Sequence, residues 1–358
     1  MRKTYIDNVR WITVVLVVIY HVFYMFNGIE TAGVVGPFTS PQYQDSLLYV
    51  LYPWFMLLLF VISGMSARFY LEHHSHKEFL KSRTRKLLVP STIGLLVFQW
   101  ILGYFNLQLS GAYAGMANTV PKPFLFLIMA VSGSGPLWYI QTLWLFSLLL
   151  LPLRKIGKDR IYNLCKKANI LVLLALVLVI WGSAHIFNIP VVTVYRFGIY
   201  GAGFFIGYLF FSQDEVMDRL GKYWLPLLIG AVSACVAFIA VYWGQPYASH
   251  VVLDTLLCNV YAWITTLAIL AVMKKWGNFE NAFSKWMIQK SWGLYLFHYL
   301  CIAGCAWYLP RLLPDLPAAF VYLCVGIAAF LGAFILYEVI SRIPVLRWCI
   351  CGIGGKKK

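Results

Sequence analysis

Acidic residues, and charged residues in general, are scarce in this chain of 358 residues. Asp and Glu together number 13, and all charged residues make up 12% of the sequence, whereas hydrophobic residues make up 61%. So little charge excludes a water-soluble globular protein, because a soluble surface needs many more charged and polar side chains. The mean hydropathy of +0.75 instead indicates an integral membrane protein.

Four further features are missing. The first apolar segment lacks a small-residue cleavage site, so we expect it to remain as a membrane span and not to be removed as a signal peptide. The sequence shows neither a repeat of fixed period nor a loop long enough for a separate soluble domain. None of the eight cysteines falls in a predicted outside loop, which argues against a structural disulfide. We therefore predict a single transmembrane domain over residues 1–358.

Apolar stretches long enough to cross a membrane recur along the whole chain. They predict an all-α, polytopic fold of about ten transmembrane helices, at residues 9–27, 46–69, 88–109, 136–153, 169–187, 194–211, 223–243, 251–273, 291–309 and 318–340. The boundary before the fourth helix is the least defined, because Phe124 to Val131 also fits a re-entrant or interfacial piece. The longest outside segments, residues 28–45 and 110–135, are candidates for a lid or an acceptor-binding rim.

The net charge of +16 reflects 29 Lys and Arg residues, whose distribution follows the predicted spans. With the amino terminus inside, all but Lys122, Arg196 and Arg311 fall on the cytoplasmic side. This asymmetry predicts that both termini are cytoplasmic, and it argues against nucleic acid as the partner. The basic loops also suit anionic membrane lipids or an anionic cytosolic substrate. Because no organelle signal is present, we expect a bacterial cytoplasmic membrane.

Arg10 and His21 are the most informative residues in the first span. Eleven helical residues turn through roughly 1100°, which is three turns with about 20° left over, so the two side chains share one helix face. His21 lies roughly 16 Å further along the axis. If Arg10 marks the membrane surface, His21 lies near the middle of the bilayer, where an ionisable residue indicates function.

Each of these residues also has a simpler interpretation. His21 fits a buried imidazole bonded to a neighbouring helix, Arg10 fits a surface anchor, and Asp7 fits an acid that complements the helix dipole. On one stripe they are more specific. A neutral His is a suitable general base, and an Arg at the cytoplasmic edge is a suitable clamp for phosphate.

The pattern Asp7-x-x-Arg10-x(10)-His21 in a first span resembles acyltransferase family 3, a family of ten-span membrane acyltransferases. Further motifs in the family's order extend the resemblance along nearly the whole chain. They are Phe60-Val61-Ile62-Ser63-Gly64, the basic run Arg83 to Lys86 before Pro90, Leu137-Trp138-Tyr139, Phe204 to Tyr208, Ser291 to His298, and Glu338 with Arg342 and Pro344. Two positions depart from it: Lys86 stands where many members have Arg, and Trp11 stands where many have Gly.

The resemblance implies transfer of an acyl group, usually acetyl, from cytosolic acyl-CoA to a hydroxyl of a carbohydrate or glycolipid. No permanently bound cofactor is expected, since acyl-CoA is a substrate. Arg83, Arg85 and Lys86 would hold its nucleotide end with help from Arg10, while Trp138 would line the acyl channel or sit in an aromatic belt. His21 would act as the general base, with either direct transfer or a transient acyl-His21, and Asp7 would orient Arg10 or a neighbouring backbone.

Other residues are candidates for the cavity or the acceptor site. Ser63 fits a nucleophile or, more simply, close helix packing. Tyr295 and His298 share a face with Ser291, so His298 fits either a second polar wall of the cavity or a structural histidine. Glu338 fits an ion pair with Arg342, and Asp254 fits a ligand of acceptor hydroxyls.

Several alternatives remain at this level. The cluster His73, His74 and His76 resembles a metal site but lies in a charged segment that fits a solvated loop, so no metal is expected. The main alternative function is an exporter or transporter of a polysaccharide or lipid-linked sugar, and a third is a scaffold or sensor without catalysis. The acceptor, the acyl chain length and the oligomeric state, including a possible homo-oligomer, are also open.

Overall fold

The structure is a computed structural model that describes residues 3–30, 40–157, 159–189 and 194–354. These residues are mainly helical, and they contain no strand beyond an isolated bridge between Asn188 and Arg196. The principal helices are α1 (Thr4–Tyr24), α2 (Ser46–His73), α3 (His76–Leu109), α4 (Lys122–Ser132), α5 (Trp138–Gly157), α6 (Ile170–Ala184), α7 (Phe197–Phe211), α8 (Trp224–Tyr242), α9 (Leu256–Trp276), α10 (Ala282–Leu312), α11 (Ala318–Arg342) and α12 (Pro344–Cys351).

Seven helices in the described part of the chain are long and apolar enough to cross a membrane. They are α1, α2, α3, α5 with the turn before it, α8, α9 and α11. The predicted all-α membrane fold is therefore confirmed. The apolar helices α6 and α7 are shorter, and α10 has a polar and aromatic content that keeps it out of this set. The count of ten and the cytoplasmic termini stay predictions.

Several predicted boundaries are wrong. Residues 110–135 hold two helices, at Ala112–Ala117 and α4, and α4 covers the piece from Phe124 to Val131 that fits a re-entrant or interfacial segment. The third helix begins at His76 rather than at residue 88, so the basic run lies on a helix. Asp254 lies between the short helix His250–Leu253 and α9, where Thr255 caps the start of α9. Part of the predicted outer segment 28–45, residues 31–39, lies outside the described residues.

The chain divides into two compact units. The first comprises Met1–Thr13, Ser46–Leu80 and Leu145–Ile288. Within it α2 packs against α7 and α9, and α8 packs against α9. Helix α2 is apolar all around, and most of its side chains are buried, as expected for a central helix. The apolar outer face of α8, by contrast, is exposed and suited to lipid.

The second unit comprises Val14–Asp45, Lys81–Trp144 and Gln289–Lys358. Within it α4 packs closely on α3. A Cβ on Gly103 would overlap the carbonyl of Met129, and one on Gly133 would overlap the carbonyl of Gln99, so glycine is needed at both positions. The 11 residues of α4 rise only about 16 Å, so α4 cannot cross a bilayer by itself. Helix α4 is followed by the turn Gly135–Leu137, which leads into α5.

In the first unit, glycines let α2 and α7 approach closely. A Cβ on Gly207 would overlap the carbonyl of Val61, and a Cβ on Gly64 would overlap the carbonyl of Phe204. Small residues at a helix crossing permit this backbone contact. The Ser63-Gly64 pair is therefore at a tight crossing, as the packing interpretation of that motif requires.

Replacing Gly207 with Leu should lower the melting temperature of the purified protein in detergent, because the side chain must push α2 and α7 apart. Overpacking of this kind costs about 1–3 kcal/mol of unfolding free energy. The matched control is Gly326→Leu in α11, where a Cβ meets nothing within 4 Å. Equal melting temperatures for the two variants would contradict the close approach.

Candidate active site

His21 lies in the last turn of α1, within the second unit. Its Nδ1 atom is 2.8 Å from the carbonyl oxygen of Val17, one turn back along the same helix. The ring packs edge-on against Tyr20 and Tyr299, with ring centroids 5.1 and 5.0 Å away. Two aromatic rings and one backbone carbonyl therefore hold the imidazole in place.

His298, on α10, is a polar partner of His21 from a different helix. Its Nε2 atom is 3.2 Å from Nδ1 of His21, and its side chain is fully buried. The Nδ1 atom of His298 is 3.0 Å from the carbonyl of Leu294 and 2.9 Å from that of Tyr295. The sequence predicted His298 as a polar wall of the cavity or a structural histidine but did not identify its partner. The structure shows that this partner is His21. The sequence signal was a second intramembrane histidine on a polar face.

Tyr295 links α10 to the break between α4 and α5. Its hydroxyl donates a hydrogen bond to the carbonyl of Pro136, and its ring packs against Tyr139. Gly135 in the same turn has a φ of +37°, and a Cβ there would lie 3.6 Å from the Tyr299 ring. The break in the helices therefore lies beside the aromatic residues that surround His21.

Asp45 is a buried carboxylate of the second unit that the sequence analysis did not single out. Its Oδ2 atom accepts hydrogen bonds from the backbone N–H groups of Gly28 and Gln42, at 3.2 and 3.0 Å. The side chain thereby fixes Gly28, just after α1, next to the turn Tyr43–Asp45. Its position in a single turn between an outer segment and a long apolar helix is the only signal the sequence offers.

Arg10 and Asp7 lie on the first half of α1, within the first unit. Nη1 of Arg10 is 3.1 Å from Oδ1 of Asp7, and Nη2 donates to the hydroxyl of Ser66 at 2.6 Å. The Arg10 side chain remains 39% exposed, so part of the guanidinium is still accessible. Ser66, on α2, was missed by the sequence analysis because nothing in its local pattern distinguishes it from a packing residue.

A polar cavity of about 1040 Å³ opens beside Arg10 in the first unit. Lys3, Arg10 and Lys166 contribute positive charge, while aromatic side chains, including Phe69 and Tyr70, contribute flat apolar surface. Trp11 is not among the described residues that line it, since its ring packs against Phe283 and its Nε1 donates to Asn8.

Ion pairs keep the walls of this cavity charged. The hydrogen bond from Lys166 to Glu215, with Nζ to Oε1 at 2.7 Å, raises the pKa of Lys166 and lowers that of Glu215. Burial works to raise the pKa of Asp214, but the hydrogen bond and charge of Lys3, with the charge of Lys274, hold it below its ordinary value. At neutral pH the cavity thus presents both signs of charge.

The basic run Arg83, Arg85 and Lys86 lies at the start of α3 in the second unit. Residues Thr84–Leu88 form a π turn, in which the N–H of Val89 reaches the carbonyl of Thr84. Pro90, which has no N–H, interrupts the regular bonding here. A Cβ on Gly352 would overlap the carbonyl of Arg85, so the end of α12 packs directly on this run. Arg85 therefore also supports the carboxyl-terminal segment.

Trp138 and Glu338 also lie in the second unit. Trp138 begins α5, where its carbonyl accepts a hydrogen bond from the Thr142 hydroxyl and its ring is edge-on to Tyr139. Glu338 pairs with Lys290, a partner the sequence analysis missed, and more distantly with Arg342 at 3.8 Å. The structure thus supplies an ion-pair network for Glu338 near the end of α11.

Ser63 and Asp254 lie in the first unit. Ser63 is buried beside the crossing of α2 and α7. Asp254 forms an ion pair with Arg196, at 3.1 Å, and its Oδ2 atom lies 3.4 Å from Nδ1 of His250. Because Arg196 is only 5% exposed, Asp254 neutralises a buried guanidinium. The sequence does not reveal this structural role, because Arg196 and Asp254 are far apart along the chain.

The family model described as "Acyltransferase domain", that of acyltransferase family 3, matches residues 3–338. The matched region covers nearly the whole chain and includes both the Arg10 cavity and the histidine pair. No curated protein and no solved structure matches the chain.

Replacing Tyr295 with Phe should loosen the break between α4 and α5, because the carbonyl of Pro136 loses its buried hydrogen bond. An unsatisfied buried group costs about 1–3 kcal/mol. We expect faster amide hydrogen exchange at residues 133–139 in detergent. Tyr299→Phe is the control, since no hydrogen bond to that hydroxyl is found in the described part of the chain; equal exchange in both variants would refute the link.

Proposed function

We propose that this chain, which belongs to acyltransferase family 3 and is a membrane acyltransferase, transfers an acyl group from acyl-CoA to a hydroxyl of a carbohydrate or glycolipid. The membership makes the reaction class firm. The donor, the acceptor and the roles of individual residues are our proposal. The observation that carries it is the pair on α1: an accessible Arg10 in a large polar cavity and, three turns further, His21 held among aromatic rings.

The cavity beside Arg10 supports binding of the donor's nucleotide end. Coenzyme A combines phosphate groups with an adenine ring, and the cavity combines basic side chains with aromatic surface. Asp7 orients the Arg10 guanidinium from one side and Ser66 from the other, so the remaining N–H groups are available to a phosphate. Arg83 and Lys86 remain candidates for a second phosphate contact.

His21 acts as the general base in this proposal. It takes the proton of the acceptor hydroxyl as that oxygen attacks the thioester carbonyl carbon. The new C–O bond forms, the C–S bond breaks, and the leaving thiolate receives the proton from the imidazolium. The products are an acyl ester and free coenzyme A, and neither an oxidant nor a metal ion is needed. Acetyl is the acyl group we expect, and a bacterial cytoplasmic membrane is the setting we expect.

Replacing His21 with Ala should reduce acyl transfer by about 10²–10⁴-fold, the usual contribution of a positioned general base. Membranes with matched amounts of wild type or variant would receive acyl-labelled acetyl-CoA, and label would be followed into lipid, carbohydrate and released acetate. His185→Ala, at an exposed position just after α6, is the control and should transfer normally.

Unchanged transfer by a well-folded His21→Ala protein would overturn the role of His21. Label that accumulates on the wild-type protein but not on His21→Ala would replace direct transfer with an acyl-His21 intermediate. If acetyl-CoA and other common acyl-CoAs are all inert, export of a polysaccharide or lipid-linked sugar becomes the better explanation.

Replacing Arg10 with Gln should raise the KM for acyl-CoA about tenfold to a hundredfold, because a charge-assisted hydrogen bond to phosphate is lost. The KM for the acceptor should not change. Initial rates at varied donor concentration measure the effect, with Arg311→Gln as the control on a different helix. If Arg10→Gln alters only the acceptor KM, the cavity does not bind the donor.

A further inference from the structure

We infer that His298 is a positioning residue for His21: together with the carbonyl of Val17, it fixes the tautomer of His21 so that Nε2, and not Nδ1, is the atom that accepts the proton. This inference rests on the proposed function and adds to it which nitrogen reacts and what holds it ready. It follows from the hydrogen-bond geometry of the two imidazoles within the second unit.

His298 is the fully buried member of the pair. Nδ1 of His298 lies within 3.0 Å of two carbonyl oxygens, those of Leu294 and Tyr295. Carbonyl oxygens only accept hydrogen bonds, so Nδ1 of His298 must carry a proton. A neutral imidazole has only one N–H, and Nε2 of His298 is therefore an acceptor.

The two neighbours of Nδ1 determine which nitrogen of His21 carries the proton. Nε2 of His298 lies 3.2 Å from Nδ1 of His21 and needs a donor there. The carbonyl of Val17, 2.8 Å from the same Nδ1 atom, needs one as well. Both neighbours therefore require an N–H at Nδ1 of His21, and this single proton is shared between them. Nε2 of neutral His21 is left with its lone pair, on the opposite side of the ring from His298.

The same geometry favours the protonated state that the reaction creates. When Nε2 of His21 accepts a proton, the positive charge spreads over both ring nitrogens. The bonds from Nδ1–H to Val17 and His298 then become charge-assisted and stronger. These bonds strengthen as positive charge develops on His21 in the transition state. They therefore lower the activation free energy of acyl transfer and not merely the free energy of the bound substrate. In this arrangement a neutral imidazole holds the place that a carboxylate holds in many catalytic triads.

The burial of His298 fits this role better than direct contact with a substrate. Its side chain is fully buried, whereas His21 is partly accessible. Each nitrogen of His298 already has a partner within the protein: Nδ1 on its own helix and Nε2 on α1. His298 therefore acts through His21.

Two substitutions at His298 separate positioning from simple packing. In His298→Gln, the amide oxygen can reach the place of Nε2 and accept the hydrogen bond from His21, whereas Leu in His298→Leu fills space without an acceptor. We expect His298→Leu to lower kcat about tenfold to a hundredfold, the range for losing a hydrogen bond to a charged group, with little change in either KM. His298→Gln should recover most of that loss.

A spectroscopic measurement tests the tautomer independently of turnover. Protein labelled with ¹⁵N in its histidine rings would be studied by solid-state NMR in lipid bilayers, and His21→Ala would identify the His21 signals. We expect Nδ1 of His21 to show an attached proton and Nε2 to show none, and His298→Leu to shift this pattern toward a mixture. A proton on Nε2 of neutral His21 in the wild type would overturn the inference.

The outcomes distinguish this inference from the proposed function. Wild-type transfer that is lost in His21→Ala but retained in a well-folded His298→Leu would refute the positioning role and leave the general base intact. Equal losses in His298→Leu and His298→Gln, with an unchanged His21 tautomer, would mean that His298 serves packing only. Full activity of His21→Ala would instead refute the proposed function, whatever the tautomer.

Discussion

A polar group inside an apolar helix bundle must find its hydrogen-bond partner within the protein, because lipid offers none. This requirement explains how polar side chains are used throughout the chain. Thr13 and Ser66 donate back to carbonyls of their own helices, and so does Nδ1 of His298. The Tyr295 hydroxyl serves the carbonyl of Pro136 where the helical pattern stops. Each bond both satisfies a buried group and fixes an orientation.

The histidine pair is the consequence that matters most for chemistry. In water, either nitrogen of His21 could carry the proton, since solvent would accept from one and donate to the other. In the bundle, Val17 and His298 both demand a donor at Nδ1, which leaves Nε2 as the basic atom. A requirement of folding in an apolar medium thus becomes preorganisation of a base.

Much of the fold could be predicted from the sequence, because apolar length determines whether a helix can cross a bilayer. The stripe of Arg10 and His21 could be found for a related reason: helix periodicity alone places them on one face. The limits appeared where packing overrides local pattern. The sequence predicts a re-entrant or interfacial piece from Phe124 to Val131 as one alternative, but only the close approach at Gly103 and Gly133 shows that α4 is packed on α3. The helical start of the basic run was missed because charged residues resemble a loop.

The sequence by itself determined that this is a helical membrane protein of acyltransferase family 3, with a histidine and an arginine three turns apart on its first helix. Composition, apolar length and helix periodicity depend only on residues that are near one another in the sequence. They can therefore be read without knowing which helices are in contact. Only the tertiary structure decided the partners of these side chains. His298 is hydrogen-bonded to His21, Ser66 accepts a hydrogen bond from Arg10, and Asp254 forms an ion pair with Arg196. Those partners are far apart in the sequence, and their pairing depends on how the helices pack.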